Sequence, residues 1–402
     1  MIVNAIKKTL LTVNSGSSNT KFTLYELTDN LTPLLQGQLD FLDDNTASLT
    51  YKNAVTGEAN TNNFPINAIS NANEVFISWL KSHFDSLTLQ VIGHRIVFGM
   101  KHTEAQVITP TLLSDLKAII AYDPEHLPKS ISLIEAFTQH FPSIAQIACF
   151  DTSFHTTMPT IAKLLPIPRR YFNLGLQRYG FHGLSYAYLT KALQTILGVQ
   201  KVATSNIIMA HLGNGASITA LKNGISVDTS MGFTPASGIP MSTRSGNIDP
   251  GIAWYLMQVE KLNADQFNQL INHHSGLFGI SETTGNMREL LQLQHTDTRA
   301  AEAIELFCYE TKKYIGSYAA ALGGLEIVVF SGGIGEHVPE VRSQICDGLE
   351  FLGIELCEIK NMNNAPIIST EKSKVTVYVI PTNEQLMMAK LVCGYLNWDV
   401  ID

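Results

Sequence analysis

Four polar side chains sit in apolar or glycine-rich surroundings: Arg95 in IGHRIVFG, Asp151 in ACFDTSFH, His182 in RYGFHGLS and Arg244 in MSTRSGNIDP. A guanidinium recognises carboxylate or phosphate oxygens through a planar fork. Two such arginines facing one cleft would suit a small dianion or a phosphoryl acceptor. An aspartate at a strand end suits a Mg2+ ligand or a group that positions a nucleophile. Taken singly, Arg95, Asp151 and Arg244 are more readily explained by structural ion pairs or helix caps. His182 fits a core histidine as well as a site edge.

Three glycine-bearing loops add phosphate chemistry. Asn14-Ser15-Gly16-Ser17-Ser18, with Lys21 just beyond, offers hydroxyls, an amide and a point charge. His211-Leu212-Gly213-Asn214-Gly215 repeats the design, and Gly332-Gly333-Ile334-Gly335-Glu336 lies between a strand and a helix. Small residues let backbone N–H groups point at an anion without a side chain in the way. The standard nucleotide signatures are absent: no GxxxxGK[ST], no GxGxxG after a strand, no HExxH and no protein-kinase set. Ser18-Asn19-Thr20-Lys21 is an SxxK tetrad, the acyl-enzyme motif, but SDN and KTG are missing and it falls in a strand–strand turn.

The elements that must hold these residues can be read from pattern. Thr9–Val13 and Phe22–Leu27 read as a hairpin across the first loop, and Ile207–His211 with Ile218–Leu221 as a second. Val91–Val97, Ile144–Phe150, Glu326–Phe330 and Val375–Ile380 read as further strands. Helical spacing marks 112–121, 130–140, 249–260, 298–322, a segment from Pro339 and 383–395. The Asn/Thr/Ala-rich stretch 45–73 reads as a peripheral loop or edge-strand region. Hairpins and strand–helix crossovers together predict α/β architecture with mixed sheets. The two similar glycine hairpins, with a strand ending in Asp151 between them, suggest two related halves facing one cleft.

Composition narrows the function classes. The chain has 402 residues, 45% hydrophobic and 15% charged, enough for two or three domains with real cores. A net charge of −8 gives no basic excess for a phosphate backbone, so no nucleic-acid partner is expected. No apolar run approaches the ~20 residues of a membrane span, and the N-terminus has no signal or transit pattern. Five cysteines without a CxxC pair read as buried small hydrophobes of a reduced, cytoplasmic protein. His273-His274 reads as a helix end, and 309–318 as core or subunit interface.

Taken in order, VNSGSSNTKF, GHRIVFG, FDTSFH, RYGFHG, AHLGNGAS, DTSMGFTP, TRSGNIDP, SGLFGIS, FSGGIGEH and TNEQ resemble the signatures of the acetokinase family. That family belongs to the superfamily of actin, sugar kinases and chaperone ATPases. The resemblance spans essentially the whole chain. It implies a two-domain actin-like ATPase (ribonuclease H-like) fold, with mixed sheets flanking a central cleft. Domain I would be residues 1–151 plus 385–402, and domain II, residues 152–384, would bind nucleotide and form a homodimer.

The implied reaction is reversible, direct in-line phosphoryl transfer between ATP and acetate, giving acetyl phosphate and ADP. Propionate or another short carboxylate is the alternative acceptor. Mg2+ is the implied ion, with Mn2+ as a substitute. By resemblance Asn14 and Glu384 match the metal positions, Lys21 a nucleotide-phosphate contact, Arg95 the substrate-carboxylate arginine and Asp151 the catalytic acid. His182 and Arg244 match the groups that stabilise the transition state. His211, Leu212, Gly213, Asn214 and Gly215 match nucleotide-binding positions. So do Asn286, Met287 and Arg288, and Gly332, Gly333, Ile334, Gly335 and Glu336. Val97, Phe181 and Pro235 fall where the family lines a pocket for the acyl methyl group.

The chain departs from the family pattern at Phe98-Gly99-Met100, at Asn286 in place of aspartate, and at Ser237, Pro240, Ser242 and Asn247. Glu125 stands at a pocket leucine and is expected to face solvent or pair with Lys129. A rival reading, a nucleotide-driven conformational module of the actin or chaperone kind, needs no acceptor pocket. The two arginines and His182 argue against it.

Overall fold

The computed structural model describes residues 8–398 apart from 17, 18, 29, 44, 45, 67, 68 and 84–87. Ser17 and Ser18, and with them the SxxK serine, lie outside the described residues. The chain forms two compact units, Met1–Ser153 with Asn383–Asp402, and Phe154–Thr382.

The first unit is built on an eight-stranded sheet. Its strands are β1 (Thr9–Ser15), β2 (Asn19–Glu26), β3 (Thr32–Asp43), β4 (Thr46–Asn53), β5 (Ala59–Pro65), β6 (Leu89–Ile96), β7 (Gln106–Val107) and β8 (Ala145–Phe150), in the order β5-β4-β3-β2-β1-β6-β8-β7. β1, β6 and β8 run parallel, and the β1–β5 succession is antiparallel. Alternation sends Phe22, Leu24, Leu35, Leu39 and Leu49 into a core with Phe76, Ile77 and Trp79 of the helix Ile69–His83 and Leu133 and Phe137 of the helix Leu127–His140. Fully burying each of those side chains contributes about 1.5–3 kcal/mol. The helix Glu384–Tyr395, with Met387, Met388, Ala389, Val392 and Cys393 buried, packs on β1, β6 and β8. The Asn-rich stretch turns out to be the antiparallel edge β4–β5 and then the start of a helix.

The second unit carries a five-stranded sheet of β9 (Ile207–Leu212), β10 (Ala216–Lys222), β11 (Ile225–Thr229), β12 (Ile327–Ser331) and β13 (Thr376–Val379), in the order β11-β10-β9-β12-β13. β9, β12 and β13 are parallel, and β10 and β11 are antiparallel additions. This repeats the β3-β2-β1-β6-β8 arrangement of the first unit, so the two halves suggested by the glycine hairpins are related in topology. Tyr186, Leu189 and Leu193 of the helix Gly183–Leu197 pack on Ile207, Met209, Leu221, Ile327 and Val329. No described helix is long and apolar enough to cross a membrane. The five cysteines are free, and Cys357 alone among them is only half-buried. Burial pushes the Cys149 thiol up to about 12.

His94, on β6, is buried beside Phe137, and burial lowers its pKa to about 4, against a hydrogen bond with Gln146 that works the other way. An unfolded histidine takes up a proton near 6.5, whereas folded His94 stays neutral down to about 4. Unfolding therefore takes up a proton in that window, and stability is lost as pH falls through it, by about 2–3 kcal/mol at pH 4.5. In urea unfolding at pH 7 and pH 4.5, His94→Gln is expected to lose about 2 kcal/mol less than the parent chain. Equal losses would show that His94 does not carry this dependence.

Candidate active site

In the first unit the C-terminal ends of the parallel strands β1, β6 and β8 place Asn14, Arg95 and Asp151 side by side. Open α/β sheets bind their ligands at such strand ends. Arg95 Nε and Nη2 donate to Asp151 Oδ2 at 3.1 and 2.5 Å, and Nη1 donates to Asn14 Oδ1 at 3.0 Å. Asn14 Nδ2 donates in turn to Glu384 Oε2 at 2.9 Å. Glu384 is the first residue of its helix, whose amide ends are capped by the Asn383 side chain on Leu386 N. Burial works to lower the Arg95 pKa, but Asp151 and then Glu384 outweigh it, so the guanidinium sits above its usual value and stays charged. Three of its five N–H groups are engaged, which leaves one on each terminal nitrogen for a ligand.

Asp151 is fully buried, and its second oxygen, Oδ1, has no hydrogen-bond partner. An orphaned carboxylate oxygen in a buried site points to a missing cation or donor. Mg2+ binds through one or two carboxylates plus waters and substrate phosphates, so Asp151 Oδ1 and Glu384, with the Asn14 amide between them, fit it. Among the described residues there is no group of three or more His, Cys, Asp or Glu that would cage a metal outright. Val97 follows β6, two residues after Arg95, and is buried. Lys21, paired with Asn14 across the hairpin, is exposed and lines a 460 Å³ cleft with Gln38, Lys52 and Gln385.

The second unit assembles the other candidates. Gly215 lies close to two of them: a Cβ there would lie 3.2 Å from His182 Nε2 and 3.6 Å from Arg244 Nη1. His182 and Arg244 therefore face one small space above the His211–Gly215 loop. The Arg244 segment is pinned to that loop by Ser242 N donating to Asn214 O at 3.1 Å, and to the Asn286 segment by Ser242 Oγ donating to Gly285 O at 2.8 Å. Arg244 Nη1 also donates to Pro235 O at 3.3 Å. Phe181 is buried next to His182. Asn286 caps the helix Met287–Leu293, its Oδ1 accepting from Arg288 N at 3.0 Å; Met287 is buried and Arg288 exposed. Asparagine caps as well as aspartate does, so this departure from the family pattern leaves the local structure whole.

The third loop crosses over β9. Gly332 has φ +76°, and a Cβ there would meet Leu212 O at 2.6 Å, whereas Gly333 faces open space. The Gly333 amide lies 4.0 Å from where a Cβ on Gly213 would be, so the two loops of this unit adjoin. Ile334 and Gly335 are buried in the short helix Gly332–His337. Glu336 turns inward, with Oε1 accepting from Gly332 N at 2.8 Å and Thr382 N at 3.1 Å. Pattern reading passed over Arg342. It is fully buried, and it donates to Gly335 O at 2.8 Å, Asn361 Oδ1 at 2.7 Å and Asn364 Oδ1 at 2.6 Å, tying the loop to the segment behind it. The mixed segment PEVRSQIC gives no sign of its burial. Glu125 is half-buried at the start of the helix Leu127–His140, and its charge acts on Lys129, whose pKa burial lowers.

The sheets and helices make an α/β fold of the actin-like ATPase class. The acetokinase family model matches residues 9–390. A relative named acetate kinase from Thermoanaerobacterium thermosaccharolyticum is 40% identical over 95% of this chain and 97% of its own length. One of the same name from Methylocella silvestris is 38% identical over 98% and 99%. Among solved structures, the Porphyromonas gingivalis acetate kinase is similar with a TM-score of 0.86 and 35% identity, over 97% of this chain and 100% of its own. A propionate kinase from Francisella tularensis gives 0.89 and 34%, over 96% and 98%. The chain belongs to the acetokinase family.

The contrast between adjacent glycines is testable. Gly333→Val is expected to fold and to weaken ATP binding at least tenfold by calorimetry, because its side chain enters the open space over the loop. Gly332→Val is expected to destabilise the fold, since it places a β-branched residue at positive φ against Leu212 O. Unchanged ATP affinity in Gly333→Val would remove that loop from the site.

Proposed function

We propose that this protein is an acetate kinase, catalysing reversible phosphoryl transfer between ATP and acetate to give acetyl phosphate and ADP. The observation that carries this reading is the Arg95–Asp151–Asn14–Glu384 cluster. It keeps a charged guanidinium with two donors to spare beside an unpartnered carboxylate oxygen. That combination suits a bound carboxylate and a cation at one place. The family membership and the full-length relatives named acetate kinase point the same way.

In this reading Arg95 grips the acetate carboxylate through its two remaining N–H groups, and the methyl group lies against Val97, Phe181 and Pro235. One carboxylate oxygen forms a bond to the γ-phosphorus in line with the breaking β–γ bridge, whose electron pair leaves with ADP. Arg244 and His182 donate to the equatorial oxygens of the transferring group, and Asp151 positions the ensemble. Lys21, the His211–Gly215 loop, the Asn286–Arg288 segment and the Gly332–Glu336 loop hold the nucleotide. Asp151, Glu384 and Asn14 hold Mg2+, or Mn2+, which when bound neutralises phosphate charge. Such catalysis is positioning plus charge stabilisation. The first unit serves as the acyl lobe and the second as the nucleotide and dimerisation lobe. ATP as donor puts the enzyme in the cytoplasm.

A homodimer through the second unit is supported by the helix Pro250–Val259. It has no buried residue, yet it presents Ile252, Trp254, Tyr255 and Val259 outward, with Trp254 68% exposed. An apolar patch of that kind calls for a cover. Propionate is the second acceptor to consider, because a propionate kinase is among the structures similar to this chain.

A hydroxamate assay across acetate, propionate, butyrate and a hydroxylated short acid tests the reading. Acetate is expected to give the highest kcat/KM, with propionate next; no acyl phosphate from any acid would overturn it. Arg244→Ala is expected to lower kcat a hundredfold or more with the fold intact. Retention of more than about a tenth of parental kcat would remove Arg244 from its assigned role.

A further inference from the structure

We propose that Tyr186 and Ser217 are positioning residues for His182, forming a buried relay that fixes the imidazole with its proton on Nε2. This inference rests on the role proposed above for His182. His182 closes the loop before the helix Gly183–Leu197, and it does so at φ +58°, in the left-handed region. A non-glycine residue there costs about 1 kcal/mol and persists only where its surroundings hold it. The preceding Phe181 carbonyl is bonded to His155 Nε2 at 3.0 Å, and His155 Nδ1 to Ser226 Oγ at 2.9 Å. Tyr186 lies one turn after His182, on the same helix face. From there its hydroxyl reaches Ser217 Oγ at 2.5 Å, and Ser217 Oγ reaches His182 Nδ1 at 2.9 Å.

The direction of these bonds follows from counting protons. Tyr186 and Ser217 are both fully buried, so each hydroxyl hydrogen needs an acceptor inside the protein. Among the described residues Ser217 is the one side-chain acceptor within hydrogen-bond reach of the Tyr186 hydroxyl. The phenol therefore donates to Ser217. Ser217 has one hydrogen of its own, and its remaining side-chain partner is His182 Nδ1. Ser217 donates there, Nδ1 accepts, and the imidazole proton sits on Nε2. Burial raises the Tyr186 pKa well above its ordinary value, which keeps the head of the relay protonated.

Nε2 is the nitrogen that approaches the space above Gly215, where Arg244 Nη1 also arrives. The relay thus aims a neutral N–H donor at the position proposed for the transferring phosphoryl oxygens, beside the positive charge of Arg244. The His211 ring also lies against His182, with ring centroids 4.3 Å apart, and its Nδ1 is held at 2.8 Å by Ser185 Oγ. A donor that is already oriented needs no reorganisation as charge develops. Which ring nitrogen carries the proton is set by the bond at the other.

The test is nitrogen NMR of the full chain labelled with 15N-histidine, alongside steady-state kinetics. The parent enzyme is expected to show His182 with Nδ1 unprotonated and Nε2 protonated. In Tyr186→Phe, Ser217 loses its donor and becomes free to accept from Nδ1–H, so the His182 signals should shift toward a tautomer mixture. The variant's kcat should fall about three- to tenfold while KM for ATP and acetate stays within about twofold. Ser217→Ala should do the same, and Ser217→Thr, which keeps a hydroxyl, should restore most of both. If Tyr186→Phe fails to fold, the Ser217 pair carries the test. A parent His182 protonated on Nδ1 overturns the relay. So does an unchanged tautomer, or an unchanged kcat, in the folded hydroxyl-deleted variants. A parent enzyme that makes no acyl phosphate would instead defeat the assigned function, while leaving the tautomer readable.

Discussion

Arg95 and Asp151 form an ion pair with the carboxylate wholly out of water and the guanidinium nearly so. Desolvating both charges is costly, and their attraction alone rarely offsets it. The pair stands because neighbours complete it: Asn14 takes up the third guanidinium N–H, and Glu384 adds a second negative charge that helps hold Arg95 protonated. A purely structural pair could be replaced by apolar residues with little loss. The pair stands at the ends of three parallel strands with Asp151 Oδ1 unpartnered, and in the proposed function a ligand and a cation use what remains. Losing either partner would leave an uncompensated buried charge, which typically costs 3–5 kcal/mol.

The second unit solves a different problem with a similar sheet. Its strand ends carry backbone amides and two cationic or donating side chains instead of a carboxylate network. The loops are rigid for reasons visible in their bonds. Glu336 folds back onto Gly332 and Thr382, Arg342 anchors Gly335, and Ser242 links the Arg244 segment to both Asn214 and Gly285. Side chains that resemble ligand groups in sequence thus divide into two kinds. His182 Nε2 and Arg244 Nη1 converge on Gly215, whereas Glu336 and Asn286 use their side-chain oxygens to shape the backbone.

What was legible in the sequence follows from the range of the interactions involved. The strands bearing the site are short apolar runs ending in glycine or a polar residue, and pattern finds them. β3 to β5 were harder. β5 is ANTNNFP, and its strand character comes from pairing with β4 instead of from its own propensity. The Asn14–Glu384 bond joins residues 370 positions apart, so only the family resemblance paired them beforehand. The Tyr186–Ser217 bonds and the burial of Arg342 gave no sequence signal beyond residue type. Hydroxyls and single arginines are common along any chain and acquire meaning only through their neighbours.

The central claim is that Arg95 and Asp151 act as one unit. A double-mutant cycle on kcat/KM for acetate, using Arg95→Met, Asp151→Asn and the double variant, tests it most directly. If the two form one device, each single change should remove most of the activity, and the double variant should be little worse than the poorer single one, as for residues that act together. Losses that multiply across the cycle would mean that the two residues contribute independently, and would contradict the account.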